Sequence, residues 1–341
     1  MPSQPDSPPH VTVPASLDDR AQLARDWALA ALQLTTAGFA PASADASFRR
    51  YFRVSDGPRS WIVMDAPPEQ ENCEPFIRIA GLMQDAGVHV PQVLAQDLAQ
   101  GYLLLSDLGR QTLLQVIDAD NADEFFTDAF EPLLRWQCAS RPGVLPAYDE
   151  ALLRRELALF PDWYMAQHLR TAFTPAQAAI WESVQTLLVR SALEQPQVYV
   201  HRDYMPRNLM LSEPNPGVLD FQDAVYGPIT YDVVSLFKDA FLSWPEARVQ
   251  AWARQYWLRA HEVGLPMRAD FDTFFREFEW MGVQRHLKVL GIFARIHYRD
   301  GKPKYLADTP RFVRYIRQTA SRHAALMPLL RLFDDLGLIE G

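Results

Sequence analysis

Apolar and polar positions divide the chain into a short mixed region and a longer helical one. In the first region the pattern predicts a helix with Leu17, Leu23, Trp27, Ala30 and Leu34 near one face. The predicted elements are a helix over 17–33 capped by Ser16, strands over 48–54 and 61–64, a helix over 73–86 that stops at Gly87, and strands over 88–95 and 102–105. This order predicts a small antiparallel sheet with helices.

After residue 110 the apolar spacing is mainly that of amphipathic helices. Helices are predicted around 125–134 and over 152–169, 175–193, 231–241, 246–262, 270–299 and 310–336, with Thr230 as the N-cap of the fourth. Two short apolar runs, at 198–200 and 218–219, interrupt them. The predicted fold class is α+β, with a small antiparallel-sheet lobe and a larger, mainly helical lobe.

Composition narrows the class of protein. The chain has 341 residues, 48% hydrophobic and 22% charged, as in a globular protein, and residues 1–16 are proline-rich and predicted to be a disordered tail. A net charge of -9 argues against nucleic acid as a partner. Cys73 and Cys138 form no metal-binding or disulfide pattern. Without a signal peptide or membrane-spanning run, we expect a cytoplasmic protein with no membrane partner, and a monomer.

The stretch 198–223 carries the candidate chemistry. A short strand leads into His201-Arg202-Asp203, Asn208 follows five residues after Asp203, and a second apolar run ends at Asp220. Phosphoryl transfer needs a carboxylate that accepts the proton of the attacking hydroxyl, and an amide and a carboxylate that hold Mg²⁺. The spacing is that of a kinase catalytic loop. The alternative is that these are turn residues bonding their own backbone.

With these motifs in place, the chain after the tail resembles the aminoglycoside phosphotransferase/choline kinase family. The resemblance implies a bilobal protein-kinase-like fold with a nucleotide-binding lobe over 17–105, a hinge over 106–109 and a catalytic and substrate lobe over 110–341. It implies that ATP and Mg²⁺ are used. The implied roles are catalytic base for Asp203, Mg²⁺ ligands for Asn208 and Asp220, adenine contacts for the backbone of Ser106 and Leu108, and support of the catalytic loop for His201 and Asp232.

Longer segments are similar to one group within that family, the bacterial kinases of cell-wall recycling that phosphorylate C1 of N-acetylmuramate and N-acetylglucosamine. The segments are DASFRRYF (45–52), VMDAPPE (63–69), AGVHVPQVLAQD (86–97), VLDFQDAVYGPITYD (218–232) and QRHLKVLGIFAR (284–295). This resemblance implies an ATP-dependent sugar 1-kinase. The alternatives are a kinase of another small hydroxylated metabolite or an aminoglycoside, and a non-catalytic nucleotide-binding pseudokinase.

Two features depart from the kinase pattern. The turn over 44–50 has no glycine, and Asp65 stands where a strand lysine would grip the phosphates. None of the four lysines lies before residue 238. An arginine of the cluster Arg49-Arg50-Arg53 is therefore expected to replace the lysine, with Arg49 and Arg50 as nucleotide-binding candidates. A solvated strand face is the alternative for them. Glu69, Glu71 and Glu74 are rival partners for that arginine.

A basic segment near the C-terminus bears on the acceptor. Residues 276–304 hold seven Arg or Lys and three Asp or Glu, and Arg285, Lys288, Arg295 and Arg299 fall on one helix stripe. This stripe suits a sugar carboxylate better than a polycationic aminoglycoside, and Arg285 and Lys288 are candidate substrate ligands. The alternative is a solvated basic face. Asp223 is a candidate ligand of sugar hydroxyls, or a turn residue.

Overall fold

The computed structural model describes residues 18–43 and 48–339 and divides into two compact units. The first unit takes in the described residues up to 74 together with 92–107, and the second takes in 75–91 and the residues from 108 onward. The predicted tail, its Ser16 cap and residues 44–47 of the glycine-free turn lie outside the described residues.

The first unit is an antiparallel sheet with one helix. Its elements are α1 (Asp19–Leu32), β1 (Gly38–Ser43), β2 (Arg50–Asp56), β3 (Arg59–Asp65), β4 (Val93–Asp97) and β5 (Tyr102–Ser106). The strand order is β1-β2-β3-β5-β4, with every neighbouring pair antiparallel. The predicted hairpin of β2 and β3 is confirmed, with Arg50 opposite Asp65 and a turn at Gly57, whose φ is 57°.

Helix α1 differs from its prediction in both cap and face. Asp18 caps it by accepting a hydrogen bond from the backbone N–H of Ala21 at 2.7 Å. The face that packs on the sheet is formed by Ala21, Ala24 and Ala28, whereas the predicted Leu23 is 59% exposed. Small side chains let the helix approach the sheet closely; of the predicted large residues, Trp27 packs against the same cluster, whereas Leu23 does not.

The strand predictions of the first unit need two further corrections. β1 was not predicted, because Pro41 and the small residues around it give no alternating pattern, and it lies at the edge of the sheet where proline is tolerated. The strand predicted over 88–95 begins only at Val93, and its Val88 and Val90 are buried without belonging to a strand.

The second unit is mainly helical. Its helices are α2 (Glu74–Asp85, whose first residue clusters with the first unit), α3 (Ala122–Cys138), α4 (Glu150–Leu157), a π-helix (Phe160–Leu169), α5 (Pro175–Leu193), α6 (Tyr231–Phe237), α7 (Glu246–Glu262), α8 (Phe271–Asp300), α9 (Thr309–Arg322) and α10 (Met327–Asp335). Its short strands are β6 (Gln197–Val200), β7 (Leu209–Met210), β8 (Gly217–Val218) and β9 (Val225–Pro228). β6 pairs with β9, and β7 with β8.

Several predicted helices are confirmed in position but not in continuity. The helix predicted over 152–169 is divided between α4 and the π-helix, the one over 310–336 between α9 and α10, and α6 ends four residues before its predicted end. Thr230 does not cap α6 with its side chain; its hydroxyl bonds Oε1 of Gln195 at 2.7 Å.

Helices α6 and α8 form the centre of the second unit. All seven residues of α6 are buried, and α8 is buried on every side from Met281 to Gly291. At Gly291 a side chain is excluded, because a Cβ there would lie 2.3 Å from the carbonyl carbon of Leu159. In the described part of the chain, no helix is both long and apolar enough to cross a membrane.

Candidate active site

The catalytic-loop residues follow strands of the second unit, as the sequence predicts. β6 ends at Val200 and the chain turns at once into His201, Arg202 and Asp203, while Asn208 closes the 3₁₀ turn Pro206–Asn208 just before β7. Asp220 follows β8 by two residues. The side chain of Asp203 is 42% exposed, so its carboxylate is open to a substrate. The structure therefore brings Asp203, Asn208 and Asp220 into one polar loop cluster.

Asn208 and Asp220 form a pair of oxygen donors. Nδ2 of Asn208 donates to the backbone carbonyl of Asp203 at 2.9 Å and lies 3.4 Å from Oδ2 of Asp220. Since the nitrogen is committed to that carbonyl, the amide oxygen is the atom left to act as a ligand. Gln222, which the sequence did not single out, donates to Oδ1 of Asp220 at 2.8 Å. Gln222 therefore helps to orient this carboxylate.

This donor set suits Mg²⁺ better than a transition metal. Magnesium prefers oxygen ligands and is usually held by one or two protein carboxylates together with substrate phosphates. Within residues 18–43 and 48–339, no group of three or more His, Cys, Asp or Glu side chains is placed to hold a metal ion. The amide oxygen of Asn208 and the carboxylate of Asp220 are thus suitable ligands for a metal ion whose other ligands are phosphate and water.

His201 and Asp232 support the loop, in line with the expected structural role. Asp232 accepts the backbone N–H groups of His201 at 2.7 Å and Arg202 at 2.9 Å. The imidazole of His201 donates from Nε2 to the carbonyl of Leu219 at 2.9 Å and accepts the N–H of Asp203 at Nδ1. Burial lowers the pKa of His201 to about 4, so the ring is neutral at physiological pH, as both bonds require.

Asp232 is a carboxylate in an unusual environment. It is fully buried, and burial raises its pKa to about 7 although the two backbone N–H donors act in the opposite direction. Its two oxygens fix consecutive peptide groups at the start of the loop. This geometry makes Asp232 a support of the loop backbone, because each of its oxygens accepts a backbone N–H of the loop.

A buried ion cluster anchors the side chain of Arg202. Its Nη2 lies 2.5 Å from Oε1 of Glu156, which also receives Nζ of Lys288 at 2.9 Å. The hydroxyl of Tyr148 bonds the other oxygen of Glu156, and Lys288 donates to the hydroxyl of Tyr231 at 3.0 Å. We call these five residues the Glu156 cluster. Burial alone would raise the pKa of Glu156, but Lys288 and Arg202 outweigh it and hold that pKa at about 2.

The backbone of Arg202 is strained. Its φ is 78°, in the left-handed region that a residue with a Cβ rarely adopts. Neither Arg202 nor Glu156 was predicted as a functional residue from the sequence. The position of Arg202 between His201 and Asp203 could have indicated a role for it. No sequence feature near Glu156 indicates one, since Glu156 precedes Arg202 by 46 positions.

The basic stripe of α8 is not one solvated face. Lys288 is buried and belongs to the Glu156 cluster, so its ammonium group is directed at Glu156 and Tyr231. Arg299 is exposed and forms a bidentate pair with Asp300. His286 is also buried, and burial places its pKa well below the usual value. The geometry therefore favours a structural role for Lys288 over the predicted contact with substrate.

Arg285 remains beside the candidate base. It is 2% exposed, and its Nη2 lies 3.9 Å from Oδ1 of Asp203. Its guanidinium carbon is 5.9 Å from the centre of the Tyr231 ring. Asp223 is exposed, and its backbone carbonyl accepts a 3.4 Å hydrogen bond from Nη1 of Arg202. Arg285 and Asp223 thus stay candidates for contact with an acceptor molecule.

In the first unit, each arginine that could replace the missing lysine has a carboxylate partner. Arg49 pairs with Glu71 at 3.1 Å, so Glu71 is the partner among the three glutamates that the sequence left open. The fully buried Asp65 accepts Nε of Arg50 at 2.9 Å.

Two further arginines take part in such pairs. Nε of Arg20 reaches the other oxygen of Asp65 at 2.7 Å, and Arg53 forms a bidentate pair with Asp107 at 2.6 and 3.0 Å. Asp65, which stands in the place of the lysine, is therefore an anchor for guanidinium groups rather than a ligand of phosphate.

The two residues predicted to contact adenine belong to different units, Ser106 to the first and Leu108 to the second. The N–H of Ser106 donates to the carbonyl of Gln92 at 3.0 Å, and its hydroxyl accepts the N–H of Gln92. Leu108 is 8% exposed, and a Cβ at Gly217 would lie 2.8 Å from its side chain. The N–H of Ser106 is therefore engaged, and an adenine contact at this residue would fall to its carbonyl.

Comparison with known proteins decides the family. A model of the phosphotransferase enzyme family matches residues 38–274. The chain belongs to this family. It is similar to the N-acetylmuramate/N-acetylglucosamine kinase of Pseudomonas aeruginosa, with 61% identity over 296 residues, which are 87% of this chain and 88% of that protein.

Solved structures of this phosphotransferase's fold confirm the predicted α+β, protein-kinase-like class. An ADP-bound aminoglycoside phosphotransferase superposes with a TM-score of 0.57 at 12% identity, over 88% of this chain and 98% of that one. A choline kinase from Streptococcus pneumoniae gives a TM-score of 0.61 at 11% identity, over 88% and 99%. At these identities the likeness concerns the fold alone.

Proposed function

We propose that this phosphotransferase transfers the γ-phosphoryl group of ATP to the anomeric hydroxyl of N-acetylmuramate and N-acetylglucosamine. The observation that carries the proposal is the 61% identity, over 87% of the chain, to a relative named as the kinase of these two sugars. The loop of Asp203, Asn208 and Asp220 supports it, because these residue types at this spacing are what phosphoryl transfer requires.

In this proposal Asp203 accepts the proton of the anomeric hydroxyl. Its exposed carboxylate can reach a bound sugar, and the bond from its backbone N–H to His201 fixes the peptide that carries it. An anomeric hydroxyl is more acidic than an ordinary alcohol, so the demand on the base is modest and positioning dominates the rate. Asp223, exposed three residues after Asp220, is the proposed ligand of sugar hydroxyls.

Asn208 and Asp220 are the proposed ligands of Mg²⁺. When bound, the ion would offset negative charge on the phosphates of ATP. The amide oxygen of Asn208 is available because its nitrogen bonds the carbonyl of Asp203, and Gln222 orients the Asp220 carboxylate. These contacts set the two ligand side chains in advance, which lowers the entropy lost when the metal binds.

Among the predicted nucleotide ligands of the first unit, Arg49 is the better candidate. Arg50 lies over the Phe52 ring, on the sheet face that packs against α1, and is tied to Asp65. We therefore assign Arg50 to holding that buried carboxylate. Arg49, the carbonyl of Ser106 and the backbone of Leu108 remain the proposed contacts to nucleotide.

The test is phosphate transfer from γ-labelled ATP to each sugar, scored together with loss of the reducing end. We expect wild-type protein to phosphorylate both sugars only when a divalent cation is present. Asp203→Ala should lower turnover by about 10²–10⁴-fold, the range for a general base, while nucleotide binding persists. Asp162→Ala, which removes an exposed aspartate of the π-helix, is the matched control and should leave turnover unchanged.

Two results would contradict the proposal. If folded wild-type protein transfers phosphate to neither sugar, the proposed substrates are wrong. If Asp203→Ala turns over at the wild-type rate, the assignment of Asp203 as the base is wrong even where the sugars are right.

A further inference from the structure

Arg285 is a buried cation whose hydrogen-bonding capacity the protein does not use. It is 2% exposed, yet its Nε and Nη1 have no hydrogen-bond partner among the described residues. Its Nη2 comes no closer than 3.9 Å to Asp203, which is beyond hydrogen-bonding distance. Burying a guanidinium with unpaired N–H groups is costly, so a native fold keeps it only where something else binds those groups.

The surroundings of Arg285 place its guanidinium group beside the candidate base, with Nη2 3.9 Å from Oδ1 of Asp203. Three aspartates lie nearby: Asp203 on the catalytic loop, Asp232 on α6 and Asp239 just after α6. Burial raises the pKa of Asp239 to about 6 and the charge of Arg285 opposes that rise, yet within the described residues Oδ2 of Asp239 has no hydrogen-bond partner either. None of these carboxylates takes up the free N–H groups. The guanidinium is thus balanced by nearby charge and not by direct hydrogen bonds, so its positive charge is available to attract an anion.

We propose that Arg285 binds the phosphoryl group during transfer and stabilises the charge on its oxygens, rather than recognising a carboxylate of the sugar. This inference rests on the proposed function. In the step, the anomeric oxygen bonds to the γ-phosphorus as the bond from that phosphorus to the β–γ bridging oxygen breaks. The hydroxyl proton passes to Asp203, ADP leaves, and Arg285 donates to the equatorial oxygens, which carry the charge of the transition state.

The chemistry of the two proposed acceptors favours the phosphoryl group as the partner. N-acetylmuramate carries a lactyl carboxylate on O3, whereas N-acetylglucosamine has a plain hydroxyl there. A buried guanidinium dedicated to the carboxylate would stay unpaired with the neutral sugar, and sites of that kind reject the analogue strongly. The transferred phosphoryl group is common to both reactions, so donors aimed at it serve both sugars equally.

Arg285→Gln and Arg285→Lys test the proposal, with turnover measured for each sugar separately. We expect Arg285→Gln to lower kcat by about 10³-fold or more, as for other arginines that contact a transferring phosphoryl group, and by the same factor with both sugars. Arg285→Lys keeps the charge but not the planar fork and should fall between wild type and the glutamine variant. Nucleotide affinity and melting temperature should change little. Arg299→Gln, on the same helix, is the control and should match wild type.

A loss confined to N-acetylmuramate would overturn the proposal and identify Arg285 as a carboxylate ligand. A rise in KM for both sugars at unchanged kcat would also overturn it, because a transition-state contact acts on kcat. A separate assay of slow ATP hydrolysis, in which water replaces the sugar as acceptor, distinguishes a failure of this inference from a failure of the proposed function. If neither sugar is a substrate but Arg285→Gln still slows hydrolysis, the inference stands without that function. Unchanged hydrolysis, or folded wild-type protein with no phosphoryl transfer at all, refutes it.

Discussion

Replacing Glu156 by glutamine removes the only negative charge of the Glu156 cluster and keeps the side chain nearly the same size. The Glu156 side chain is 6% exposed and has Arg202 at 2.5 Å and Lys288 at 2.9 Å. Removing one partner of a buried ion pair costs about 3–5 kcal/mol, because the other charge stays buried and unpaired. The pKa gives a second magnitude: its fall from 4.5 to about 2 corresponds to about 3 kcal/mol in favour of the ionised form. We therefore expect Glu156→Gln to lose about 3 kcal/mol of the free energy of unfolding.

Urea denaturation at neutral pH measures this loss, and the chain offers a control at matched distance. Arg154 and Glu182 also lie 2.9 Å apart, but their side chains are 32% and 62% exposed. Exposed pairs contribute about 0–1 kcal/mol, so Glu182→Gln should change the free energy of unfolding by no more than that. Equal losses in the two variants would refute the reasoning, since Glu182 has a cation at the same 2.9 Å as the Lys288 partner of Glu156 but is exposed.

The dependence on pH gives a further check with a definite sign. The pKa of Glu156 is lower in the folded chain than its ordinary value of 4.5, so its contribution is complete above pH 4.5 and is lost as the pH falls towards 2. Wild-type protein therefore loses part of its stability over this range, and Glu156→Gln lacks that part. The difference between the two proteins should shrink on acidification. A difference that stays constant down to pH 2 would show that the carboxylate is not held ionised by Arg202 and Lys288.

Two further pairs of substitutions test packing and backbone strain, and urea denaturation measures the free energy of unfolding for each. Gly291→Ala should destabilise the fold by about 1–3 kcal/mol, because its Cβ would overlap the backbone of Leu159. Gly282→Ala on the same helix, where the nearest atom lies at 3.6 Å, should instead gain up to about 1 kcal/mol of helix propensity; a gain at both sites would contradict the packing. Arg202→Gly and Arg202→Ala both lose the pair with Glu156, but glycine accepts a φ of 78°, so it should be the more stable of the two by about 1 kcal/mol. Equal stability of these variants would mean that the Arg202 backbone stores no strain.

The local structure of the candidate catalytic loop was predictable because its determinants are close together in the sequence. Asp203, Asn208 and Asp220 span 18 positions, and each is placed by a strand or turn directly beside it. Most strands and helices were also predicted, because the spacing of their apolar residues, two for strands and 3.6 for helices, is likewise a local feature of the sequence. The sequence pattern therefore located the strands and helices, and the residues that lie directly after them.

The Glu156 cluster was not predictable, because its members come from distant parts of the chain. Glu156 is 46 positions before Arg202 and 132 before Lys288, and a hydropathy pattern assigns charged residues to the surface. The stripe on α8 was predicted from the same local spacing, as one face of the helix. Lys288 lies inside because Glu156 offers a buried counter-charge, which no feature of the helix itself reveals. Helix α1 shows a related limit of the pattern: its buried face includes three alanines as well as the predicted Trp27, while the predicted Leu23 is exposed.

With only four lysines in the chain, arginines are the main candidates to bind phosphate, and the position of nearby carboxylates determines which of them can do so. In the first unit, Asp65, Glu71 and Asp107 each bond an arginine, which fixes the guanidinium but also cancels much of its charge at short range. Arg285 differs, because Nε and Nη1 have no acceptor among the described residues and Nη2 lies 3.9 Å from Asp203, beyond hydrogen-bonding distance. Attraction for a phosphate oxygen depends on the charge that remains uncompensated nearby, and it is stronger in a buried site. Arg285 should therefore contribute more to the transfer step than an arginine already bonded to a carboxylate, such as Arg50.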